Sequence, residues 1–104
     1  MNNYIVVTTL CNKIEIAHKI QETLLNKRLI AGCQISEKES TYWWDGKIEK
    51  AHEYHLEIRT KESLFEEIER EIKCIHDYEV CEISYHRIDG ASKEFLDWIN
   101  NETK

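Results

Sequence analysis

An Asp-Gly dipeptide at Asp45-Gly46, preceded by Tyr42-Trp43-Trp44 and followed by a long alternating segment, constrains the architecture of this chain more than any other feature. Asp-Gly readily takes the positive φ values that a two-residue hairpin turn requires, so two long antiparallel strands are expected to flank it. Each arm runs to about 14 residues and spans roughly 45 Å at the usual strand rise. A compact domain of this length has a radius of gyration near ~13 Å and is only about 33 Å across. The ribbon therefore overhangs its own domain. With Tyr42, Trp43 and Trp44 near its tip, the overhang leaves an apolar patch and open strand edges in water, which pairing with further copies of the chain would relieve.

The segments on either side supply the remaining elements. Tyr4 to Thr9 is almost wholly β-branched or aromatic, as expected of a central strand covered on both faces. From about Lys13 the period changes: Ile16, Ala17, Ile20 and Leu24 recur at helical spacing, which predicts a helix to roughly Arg28. Ile30 to Ile35 reads as a strand. The polar run Ser36 to Ser40 interrupts it before Thr41, and a bulge or kink is expected there. After the turn, His52, Tyr54, Leu56 and Ile58 alternate with Glu53, His55, Glu57 and Arg59, predicting one apolar and one charged, wet face. Ser63 and Glu66 match a capping box ahead of the helical stripe Leu64, Ile68, Ile72, Ile75, with the helix ending near His76. Glu82 to Ile88 is a short strand, Gly90 breaks it, and Ser92 caps a last helix carrying Phe95, Leu96, Trp98 and Ile99. The order β-α-β-β-α-β-α defines an α+β class: a ferredoxin-like βαββαβ unit with a long central hairpin and an extra C-terminal helix.

A chain of 104 residues is long enough for one domain, read as residues 1–104, that folds without disulfide staples. Fourteen basic against 20 acidic side chains give a charge of −6, which disfavours nucleic acid and anionic lipid as partners. No apolar run approaches membrane-spanning length and the first residues carry no basic leader, so a cytoplasmic location is expected. The four cysteines lack a C-x-x-C spacing and are expected to be reduced. No nucleophile with a base, Gly-rich phosphate loop or paired-carboxylate motif stands out, so no catalytic residue and no required cofactor is assigned.

Cys74, His76, Asp77, Glu79, Cys81 and Glu82 pack thiol, imidazole and carboxylate groups into nine residues. Thiolate and imidazole suit copper(I) or zinc, and Cys11 at the end of the first strand would join His76, Glu82 and Cys81 if the fold brings them together. Two plainer roles stay open: a buried cysteine acts as a small hydrophobe, and His76 complements a helix C-terminus. Arg59, Thr60 and Lys61, where the third strand meets the second helix, are a candidate anion or small-molecule cleft, with salt bridging and capping as the alternatives. Tyr42, Trp43 and Trp44 are assigned to contacts between subunits.

Five stretches match a known family in order and separation. They are Val7-Thr8-Thr9, Lys27-Arg28-Leu29-Ile30-Ala31, Tyr42 to Ile48, His76 to Ile83, and Phe95-Leu96-Asp97-Trp98-Ile99. On these the chain resembles the CutA divalent-cation-tolerance family along essentially its whole length. The resemblance implies a ferredoxin-like subunit, similar to nitrogen-regulatory PII proteins, assembled as a homotrimer through extended hairpins. It implies a part in divalent metal tolerance, with binding of copper or another divalent cation and no enzymatic reaction; a PII-like small-molecule sensor or protein-interaction scaffold is the alternative. Asp77 and Cys81 stand where the family usually has proline, and Cys33 follows Gly32, one place later than the family's usual cysteine.

Overall fold

The computed structural model describes residues 2–78 and 80–104; Glu79 of the candidate ligand cluster lies outside them. The elements run β1 (Tyr4–Cys11), α1 (Ile14–Asn26), β2 (Gly32–Trp44) and β3 (Lys47–Lys61). After a 3₁₀ turn at Glu62–Leu64 come α2 (Phe65–Ile75), β4 (Ile83–Arg87) and α3 (Lys93–Glu102). The sheet has the order β2-β3-β1-β4, and every neighbouring pair is antiparallel. No helix among the described residues is long and apolar enough to cross a membrane.

Register assigns each side chain to a face. Val7 pairs Ile58, Thr9 pairs Leu56 and Cys33 pairs Ile58, and directly opposed residues share a side of the sheet. This side meets α1 and α2, whose Ala17, Ile20, Leu24, Ile68 and Ile72 are buried against Ile5, Val7, Leu56 and Ile58. The opposite side carries Val6, Thr8 and Leu10 of β1 with Glu53, His55, Glu57 and Arg59 of β3. Its end is covered by α3: a Cβ at Gly32 would lie 2.9 Å from Cη2 of Trp98, so the indole takes the space a side chain would need.

Helix α1 stops where Arg28 turns left-handed (φ 57°). The Arg28 N–H donates to Leu25 O and the Leu29 N–H to Leu24 O, with Leu24 and Leu29 both fully buried. This is a Schellman closure with an arginine in the usual glycine place. Arg28 is held from the far end of the chain, by Glu102 Oε2 at 2.7 Å and by the Lys104 N–H on its carbonyl at 2.9 Å.

The hairpin turn forms as the dipeptide predicts, with φ 51° at Asp45 and 76° at Gly46, and the arms are 13 and 15 residues long. Pairing of β3 with β1 ends at Tyr54↔Cys11, so from Lys38↔Glu53 to Trp44↔Lys47 the strands pair only with each other. This two-stranded stretch reaches about 20 Å past the sheet at the usual strand rise. The molecule accordingly measures 45 × 26 × 21 Å, and its radius of gyration, 14.3 Å, exceeds that of a compact chain of this length.

Three local expectations are corrected. The register through Ser36–Ser40 is one-to-one from Gly32↔Arg59 to Trp44↔Lys47, with no bulge. The polarity of that run reflects a ribbon wet on both sides rather than a break, and Glu37 Oε1 meets His52 Nε2 at 2.9 Å on its surface. Ser63 does not cap α2, because the 3₁₀ turn intervenes and no side chain bonds its first amides; Ser92 does cap α3, accepting from the Phe95 N–H at 3.3 Å. The charged side of β3 is wet only in part, since Glu53 is 3% exposed.

Candidate functional site

A cleft of about 820 Å³ lies between the hairpin and the connection from α2 to β4. One wall is ribbon, including Tyr42, Trp43, Trp44 and Glu53; the other is connection, including Asp77, Tyr78, Cys81 and Glu82. A hydrogen-bonded hinge places this connection. His76, its side chain 1% exposed, bonds Leu10 O through Nε2 and accepts the Tyr78 N–H on Nδ1 at 3.1 Å. With a carbonyl on one nitrogen and an amide N–H on the other, the ring is the neutral Nε2–H tautomer. This anchors the chain to the end of β1 and turns Tyr78 toward the ribbon, where its hydroxyl donates to Glu53 Oε2 at 2.7 Å. Burial first, then that hydrogen bond and the carboxylate's charge, push the Tyr78 phenol well above its ordinary range. On the β1 side, Glu82 Oε2 accepts from Thr8 Oγ1 at 3.2 Å.

The proposed cation ligands do not assemble into a ligand set. Among the described residues no group of three or more His, Cys, Asp or Glu side chains converges on a point where an ion could sit. Both His76 nitrogens are engaged within the protein. Cys11 is fully buried, its thiol pushed up mainly by burial, and it points to Lys13 O at 3.5 Å. Cys81 and Glu82 do face the cleft. Cys33, displaced in sequence, is directed to the helix side, and burial pushes its thiol up to about 11.

Arg59, Thr60 and Lys61 do not form a common cleft, because strand alternation sends Thr60 to one side and its neighbours to the other. Thr60 is buried and spends its hydroxyl on Leu29 O at 2.6 Å. Arg59 lies 3.7 Å from Glu57 Oε2, in the salt-bridging role left open for it. Trp43, Trp44 and Tyr42 are 72%, 45% and 40% exposed, an apolar surface that the single chain does not cover. The two residues sequence reasoning passed over are Glu53 and Tyr78. Period-two alternation placed Glu53 in solvent, and no local signal announces that a connection 25 residues downstream folds over it.

Comparison with known proteins places these features in a family. A model of the CutA1 divalent ion tolerance protein matches residues 5–102. The divalent-cation tolerance protein CutA of Pyrococcus horikoshii is 39% identical over 100 residues, covering 96% of this chain and 98% of that protein. Its counterpart from Archaeoglobus fulgidus is 38% identical, covering 96% of each. The crystal structure of CutA1 from Oryza sativa superposes with a TM-score of 0.94 at 31% identity, covering 98% of this chain and 94% of the other.

Proposed function

Because this chain belongs to the CutA1 divalent ion tolerance family, we propose that it serves in tolerance of divalent cations as a homotrimer of ferredoxin-like subunits, without turnover of its own. The observation that carries the assembly is the bare ribbon tip, where Trp43 is 72% and Ile48 59% exposed beyond the reach of β1. Burying side chains of this size is worth about 1.5–3 kcal/mol each. Several per subunit offset an association cost on the order of 4–15 kcal/mol. The open edges of β2 and β4 add backbone groups for neighbouring copies to pair with.

Copper or another divalent cation is the species taken up in this reading. Cys81 and Glu82 are its accessible donors, a thiolate and a carboxylate facing the same cleft. Cys11 and His76 are occupied within the fold and stand behind these donors as support. Sedimentation at micromolar concentration tests the assembly, with a mass of three chains expected and a stable folded monomer against it. Copper titration under reducing conditions tests uptake, which Cys81→Ser should abolish and Cys74→Ser should leave intact. Equal uptake by both variants removes the cation assignment.

A further inference from the structure

We propose that Thr8 is a positioning residue for cation uptake, its hydroxyl holding Glu82, and with it Cys81, in place for the ion; the inference rests on the reading of those two residues as donors. Ladder pairing between β1 and β4 runs from Ile5↔Arg87 to Thr9↔Ile83 and stops there. Cys81 and Glu82 lie just past the last rung, outside the ladder that fixes β4. A side chain ties them to the sheet instead, with Thr8 Oγ1 donating to Glu82 Oε2 at 3.2 Å. Among the described residues the Glu82 side chain has no other hydrogen bond and no ion pair with lysine, arginine or histidine, so its second oxygen is left for a guest.

Thr8 is itself held. It is 8% exposed in the central strand β1, on the side of the sheet away from α1 and α2, and its cross-strand partner Ser84 brings Oγ to 3.1 Å from Thr8 Oγ1. A hydroxyl carries one proton. Thr8 gives its proton to Glu82, so Ser84 donates to Thr8, and the chain of bonds runs in one direction from Ser84 through Thr8 to Glu82. Valine has nearly the same shape and suits a strand equally well, so neither burial nor strand propensity calls for the hydroxyl. Outer partners that orient a ligand in this way carry a large part of a site's affinity. All three residues belong to one chain, and the relay forms without a contribution from a neighbouring copy.

Zinc titration of the assembled protein tests the role, since zinc accepts thiolate and carboxylate donors and does not oxidise the thiol. Thr8→Val should weaken uptake about tenfold, the low end for loss of such a partner, and Thr8→Ser should restore it. A packing role predicts the reverse order, because valine keeps the bulk of threonine and serine loses a methyl group. Ser84→Ala leaves the bond from Thr8 to Glu82 in place and should lose less than Thr8→Val. In the cation-free protein, the carboxyl carbon resonance of Glu82 should move in Thr8→Val and return in Thr8→Ser, with sedimentation unchanged in both. Uptake that Cys81→Ser abolishes and Thr8→Val leaves unaltered would overturn the positioning role alone, as would an unmoved Glu82 resonance. Absence of uptake by the parent chain would remove the donor assignment and this role together.

Discussion

Replacing Gly46 by alanine isolates the backbone contribution of the hairpin turn. Gly46 has φ 76°, and a Cβ built there meets no atom within 4 Å, so the substitution introduces strain but no collision. The penalty for an L-residue in the left-handed region is about 1–2 kcal/mol. Taking ~1 kcal/mol, local opening of the ribbon rises about fivefold, since RT is ~0.6 kcal/mol. Gly90 is the internal control: its Cβ is equally free of neighbours and its φ lies outside the left-handed region, so Gly90→Ala should change stability by less than ~0.5 kcal/mol. Gly46→Asn should recover much of the loss, because asparagine tolerates this conformation. Amide hydrogen exchange across Lys38–Glu53, at one fixed chain concentration so that association does not shift, is the assay. Faster exchange confined to Gly46→Ala is expected. Identical exchange in the two alanine variants would refute the turn as the element that closes the ribbon.

Three further outcomes follow from the packing and charge of the subunit. Gly32→Ala brings a methyl to 2.9 Å from a Trp98 ring that is 41% exposed and able to yield, so the cost falls at the low end of overpacking, about 1 kcal/mol. A melt should drop by roughly 4–8 °C, and Trp98→Leu in the same chain should restore part of it. Ile72→Ala empties a fully buried position between α2 and the sheet and should cost about 2–5 kcal/mol in a urea titration. Glu62 accepts from Asn3, Tyr85 and Arg87, and these bonds, Asn3 foremost, hold its carboxyl below the ordinary glutamate value of 4.5. Its contribution is therefore present above pH 4.5 and is lost as pH falls through the lower folded value. Urea midpoints measured from pH 6 to pH 3 should fall less steeply in Glu62→Gln than in the parent.

Elements governed by local chemistry were legible in the sequence. Asp45-Gly46 announced its turn, Ser92 its helix start, and the stripe Ile68, Ile72, Ile75 its buried face, because each acts through neighbours a few residues away. The polar run Ser36–Ser40 misled, since polarity marks exposure and an exposed ribbon is polar without being broken. Ser63 misled for a different reason: the hydroxyl and carboxylate spacing of a cap was present, but a 3₁₀ turn took the chain into α2 instead. The site was the least legible part. His76 was singled out for its chemistry, and the tertiary contact with Leu10 O turned that chemistry inward. The burial of Glu53 depends on Tyr78, a partner no periodicity could supply.

The unbroken pairing from Gly32↔Arg59 to Trp44↔Lys47 restricts how such a protein can change length over evolution or in the laboratory. One extra residue in a single arm would invert every side chain between the insertion and the turn, exchanging the sides on which Tyr42 and Trp43 stand. Viable variants should therefore gain or lose residues in matched steps on both strands, so that reach beyond the sheet is quantised in whole cross-strand rungs.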